Sequence, residues 1–129
     1  MAEGFPATTG DIFTAADYNG LVAFTIGAAN TVDYTATISD AYQVCELMNK
    51  GTAIAYKIPT NASVAFPIGT VLTVLNIGAG VCTISAVTSG TTTVLSAGTV
   101  PAQPTLAQYR SAACIKTGTD TWYVVGAIG

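Results

Sequence analysis

From residue 31 onward apolar and polar positions alternate with a period of two, the spacing of a half-buried β-strand. "TVDYTATI" (31–38) and "AIAYKIP" (53–59) both show it. "GTVLTVLN" (69–76) sets Val71, Thr73 and Leu75 on one face and Leu72, Val74 and Asn76 on the other. A strand apolar on both faces is predicted to be covered on both. The glycines of the following "NIGAG" suit a tight hairpin loop, so "VCTISAV" (81–87) is predicted to return antiparallel to its predecessor. "TTTVL", the Pro-flanked link "VPAQP", "YRSAACIK", the turn "TGTD" and "TWYVVGAI" continue the series. In "DAYQVCELMNK", Val44, Glu46 and Met48 oppose Cys45 and Leu47, which also reads as a strand. Short strands separated by Gly- or Pro-bearing turns predict an all-β chain, with an antiparallel β-sandwich or β-barrel-like domain over 31–129.

Residues 1–30 lack this period and read as an irregular arm. Within it Thr14 is placed to cap a helical turn, Asp17 to return the bond as in a capping box, and Gly20 to end it. So short a helix is unstable alone and must dock, either on its own domain or on a partner. Under the second reading Phe5, Phe13, Thr14, Asp17 and Tyr18 form the docking set. The amino terminus shows no cationic start followed by an apolar run, so no secretory leader is expected and synthesis in a cytoplasm is.

Charge sharpens the picture. Half of the chain is apolar but only 9% is charged, with a net charge of −3, and no ion occurs between Lys57 and Arg110. The uncharged block does not predict a membrane span, because Pro59, Pro67, Gly69, Gly78, Gly80 and Gly90 divide it into pieces shorter than the roughly 20 residues a helix needs. Four scattered cations give no footprint for nucleic acid, and no basic amphipathic stretch suggests a membrane surface. A surface so poor in ions predicts self-association, which hides it from water.

Little in the chain points to catalysis. There is no histidine; Cys45, Cys82 and Cys114 lie far apart among apolar neighbours, as buried thiols do. The seven carboxylates are thinly spread, and no serine-nucleophile context occurs, so neither an enzyme nor a metal or cofactor site is expected. Asn61-Ala62-Ser63 spells a glycosylation sequon, which without a secretory route is a chance match. Gly69, Gly78, Gly80 and Gly118 are read as turn residues, and Asp120 as a side chain that fixes the last hairpin through its own backbone. Trp122, in phase with Val124, is expected in the core, against the alternative of a stacking platform for sugar.

The motifs F-P-x-G-T (66–70), N-x-G-x-G-x-x-T-I (76–84) and G-T-D-x-W (118–122) follow one another in "SDAYQVCELMN", "IPTNASVAFPIGTVLTVLNIGAGVCTISA" and "LAQYRSAACIKTGTDTWYVVGAI". Residues 36–129 thereby resemble the small β-domain of tailed-bacteriophage virion proteins, both capsid decoration (cement) proteins and fibre or appendage proteins. "VTSGTTTVLSAGTVPAQPT" is longer and richer in threonine than the corresponding loop of that domain. The resemblance implies a virion structural protein in three copies around a threefold axis. It fits a cement protein on the capsid surface whose partners are itself and the major capsid protein. The alternative it implies is a short head or tail fibre that recognises a host-surface glycan. The lack of a preceding shaft favours the former.

Overall fold

A computed structural model of the chain describes residues 23–129 and, before them, Ala15. The docking set Phe5, Phe13, Thr14, Asp17 and Tyr18 lies outside the described residues. Among the described residues ten strands follow one another: β1 (Thr25–Asn30), β2 (Tyr34–Thr35), β3 (Val44–Met48), β4 (Ile54–Ile58), β5 (Val71–Asn76), β6 (Cys82–Ala86), β7 (Thr93–Ser96), β8 (Thr105–Leu106), β9 (Arg110–Gly118) and β10 (Thr121–Gly126). A 3-10 turn, Ile38–Ala41, separates β2 from β3. The chain is mostly β, as its period of two predicts.

The connections differ from the antiparallel expectation. A six-stranded sheet runs in the order β1-β3-β5-β9-β10-β7, and a four-stranded sheet in the order β2-β4-β6-β8. Up to β6 the chain alternates between them, and within each sheet the successive strands are parallel. Strands β1 to β6 thus wind as three turns of a flat coil, each turn laid beside the last. Parallel neighbours cannot be joined by a tight hairpin. The connection is made here by the strand of the opposite sheet. After β6 the pairing changes: β9 runs antiparallel to β5, β10 antiparallel to β9, and β7 closes the far edge parallel to β10. Both sheets are therefore mixed.

The segment "NIGAG" is accordingly a crossover between sheets, and β5 and β6 do not pair. Neither Gly78 nor Gly80 has a positive φ. They are required by proximity instead. A Cβ on Gly78 would lie 2.4 Å from the Lys50 nitrogen, and one on Gly80 1.8 Å from the Thr52 carbonyl oxygen. Successive corners of the coil stack through backbone hydrogen bonds: Asn49 N–H donates to Asn30 O (2.8 Å), Ile77 N–H to Met48 O (2.8 Å) and Gly80 N–H to Lys50 O (2.8 Å). Asn76 is fully buried at this corner, donating to Gly80 O and Leu106 O and accepting from Gly78 N–H. Of the other glycines read as turn residues, Gly69 does adopt a positive φ of 94°, and Gly118 stands at the β9–β10 turn.

Alternation places one apolar row of each sheet inward, and these rows form one core. Met48, Leu72, Val74, Cys114, Trp122 and Val124 come from the six-stranded sheet, and Ile54, Tyr56, Ile58, Cys82, Ile84 and Leu106 from the four-stranded one. Strand β1, inside the stretch read as an arm, is the edge strand of the larger sheet.

Candidate functional site

The two sheets turn very different faces outward. On the four-stranded sheet the pairing aligns Thr35 with Lys57 and Ser85, and Ala55 with Thr83 and Thr105. That face is polar, and Lys57 there meets Asp33 at 4.0 Å. On the six-stranded sheet one aligned row reads Val71, Ile115, Tyr123, Leu95. A second reads Ile26, Cys45, Thr73, Ala113, Val125, and a third Ala29, Leu47, Leu75, Ser111. None of these side chains is charged. Ile26 is 61% exposed, Val71 43%, Tyr123 44% and Val125 49%. An antiparallel or mixed sheet with one wet face normally shows polar side chains on that face. Here the outward positions are uncharged and, Thr73 and Ser111 apart, mostly apolar, and patches of this kind are more often found at contact surfaces than on free ones.

Trp122 is not part of any exposed site. It is 1% exposed and packs edge-on against Phe66, ring centroids 5.5 Å apart and planes at 90°. Asp120 ties other segments to its turn: its Oδ1 accepts from Asn61 N–H (2.8 Å) and from the Thr92 hydroxyl (3.2 Å). Among the described residues the most exposed aromatic is Tyr109, 76% accessible beside Arg110 and held at a φ of +66°. Non-glycine residues adopt that conformation only where the surroundings impose it; the bond from its N–H to Asn76 O (2.6 Å) does so here.

Two buried polar groups escape a reading by composition. Asp40 and Glu46 are both buried beside β1 to β3. The Tyr34 hydroxyl (2.7 Å) and Thr37 N–H (2.8 Å) donate to Asp40 Oδ2, and Asn30 Nδ2 donates to Glu46 Oε2 (3.1 Å). Burial, and then the bond to the Asp40 carboxyl, raise the Glu46 pKa above the ordinary glutamate value. The second group is Lys116, 2% exposed. Its Nζ donates to Asn61 Oδ1 (2.7 Å) and Phe66 O (2.6 Å) and lies 5.9 Å from the Trp122 ring centroid. Desolvation lowers its pKa, opposed by the charge of Asp120. The signal for both groups was strand parity, since Glu46 shares a face with Met48, and Lys116 with Cys114.

All three cysteines are free and buried. Burial pushes the thiol of Cys82 up to about 11 and that of Cys114 up to about 12, so both stay protonated at neutral pH. Among the described residues no group of three or more His, Cys, Asp or Glu side chains is placed to hold a metal ion. A recess of about 250 Å³ lies between Ser85, Ala86, Thr92, Thr93, Val94 and Gln103. Comparison with protein-family models, with characterised proteins and with solved structures finds no match to the chain.

Proposed function

We propose that this chain is a structural assembly protein of a virion, most simply a capsid decoration protein, that works as a homotrimer and binds the major capsid protein. One observation carries the assembly part of this reading: the outer face of the six-stranded sheet is uncharged and apolar, while the outer face of the other sheet is polar. A second copy of the chain is the occupant that such a face suits, because two uncharged surfaces meet without desolvating an ion. The virion part rests on the motifs from Phe66 to Trp122, and the threefold symmetry on the same resemblance.

Sedimentation of the full chain at micromolar concentration tests the assembly. A trimer is expected, and a stable monomer of 13.0 kDa overturns it. Counting the chain against the major capsid protein in purified particles tests the location. Cement is present in copy numbers comparable to those of the shell protein, and a fibre in far fewer.

A second reading, a short fibre module that recognises glycan, has two observations in its favour. The three parallel turns of β1 to β6 are a unit that a shaft could extend. Tyr109 also offers an exposed ring at a constrained backbone position, as stacking on a sugar requires. Loss of cell or glycan binding by Tyr109→Ala, with an unchanged trimer, would favour it.

A further inference from the structure

We infer that the buried carboxyl pair of Asp40 and Glu46 is a proton-operated latch on β1: with its proton in place the strand lies closed against β3, and loss of that proton lets it open. Strand β1 is an edge strand, paired on one side only. None of its side chains joins the hydrophobic core. Its register against β3 shifts between Ile26 and Ala29, where Gly27 and Ala28 together face Glu46 as a bulge. The strand is held by backbone pairing on either side of that bulge and by the amide of Asn30, which donates to Leu47 O (3.0 Å) and to Glu46 Oε2 (3.1 Å). Segments held by backbone bonds at a sheet edge, without buried apolar contacts, are the first to open.

The bulge lies directly over the carboxyl pair. A Cβ at Gly27 would stand 2.8 Å from Glu46 Oε2, so the backbone of β1 is the cover of this group. Beneath it Asp40 Oδ2 accepts from the Tyr34 hydroxyl and from Thr37 N–H, which makes Asp40 the acceptor of the pair and Glu46 the holder of the proton between them. The titratable groups facing Glu46 are Asp40 on the 3-10 turn, Tyr34 on β2, Tyr56 on β4 and its own neighbour Cys45 on β3. From β1 it meets only the neutral Asn30, and across the ladder on β5 it pairs with Val74. All four titratable neighbours are acids and none is a cation, so nothing there compensates a second buried negative charge.

Opening β1 gives Glu46 to water, where it holds its proton no more tightly than an ordinary glutamate does. The closed strand holds that proton more tightly, because burial and the neighbouring acid both favour the neutral form. By linkage the proton in turn favours the closed strand. Closure is therefore firm below the ordinary glutamate value. Between that value and the raised one, opening becomes easier by up to about tenfold per pH unit, and it levels off above.

Hydrogen exchange of the full chain, read by mass spectrometry at pH 5 and pH 8 with the intrinsic rates divided out, tests this. Peptides containing Thr25–Asn30 report β1, and those containing Thr121–Gly126 report the body of the same sheet. Protection of β1 should fall by about tenfold or more at the higher pH while that of β10 holds. Glu46→Gln has no proton to lose and keeps an acceptor for Asn30, so its β1 should be equally protected at both. Equal protection of β1 at the two pH values in the natural chain overturns the proposal. A fall that persists in Glu46→Gln, or that β10 shares, overturns it as well. If Glu46→Gln does not fold, Asp40→Asn takes its place: without the second acid the fall should shrink, and an undiminished fall counts against the latch.

Discussion

At the scale of single residues, Glu46 and Trp122 are both inward-facing and mean opposite things for stability. The folded state raises the Glu46 pKa, so it binds that proton more tightly than the unfolded chain does. Its contribution is therefore fully present below the ordinary glutamate value and is lost as pH rises through the raised folded one. Once it has lost its proton, Glu46 is a carboxylate held against burial beside Asp40. Glu46→Gln keeps the size and an acceptor for Asn30. We expect it to raise Tm at pH 8, by on the order of 1 kcal/mol in stability, and to have little effect at pH 4. Melts that shift equally at the two pH values would remove the carboxyl pair as the cause. Trp122→Ala, in contrast, leaves Phe66 facing a void and uncovers Lys116. A loss of about 3–5 kcal/mol is expected, with blue-shifted tryptophan fluorescence in the natural protein. A red-shifted, quencher-accessible indole and an unaltered melt would instead put the ring at the surface.

At the scale of elements, the strands were legible in the sequence and their partners were not. A period of two is a local property, written into Leu72, Val74 and Asn76 or into Trp122 and Val124 whatever they pair with. Pairing is set by residues far away along the chain. "NIGAG" has the composition of a hairpin loop, yet its glycines answer to Lys50 and Thr52 on the preceding turn of the coil, which no local rule reveals. The same holds for Asp120, whose partners Asn61 and Thr92 come from elsewhere in the chain. The burial of Lys116 has no compositional sign, because a lone lysine in a strand is ordinarily solvated. The stacked corners make a paired prediction. Gly80→Ala drives a methyl group into the Thr52 backbone and should cost about 3 kcal/mol or more. Gly51→Ala, on the corner beneath, meets nothing within 4 Å and should shift the melting temperature hardly at all. Equal tolerance at the two sites would mean that the coil does not stack as described.

At the scale of the whole molecule, the contrast between the two outer faces decides where charge can be added. A lysine in place of Thr83 joins Lys57, Ser85 and Thr105 on a face that already holds an ion, and it should leave both folding and association as they are. A lysine in place of Val125 enters a row that runs from Ile26 through Thr73 and Ala113 without a charge. If a second copy covers that row, the ammonium is buried with no partner, at a cost of several kcal/mol per interface. Every 1.4 kcal/mol is a factor of ten in the dissociation constant, so Val125→Lys should turn a micromolar solution of trimer into monomer. Its strand is still an outward-facing one, so the monomer itself should melt cooperatively. Sedimentation and melting of the two variants side by side read this directly. Trimers from both would move the self-contact away from the six-stranded sheet. Dispersal by Thr83→Lys alone would reverse the assignment and make the polar face the interface.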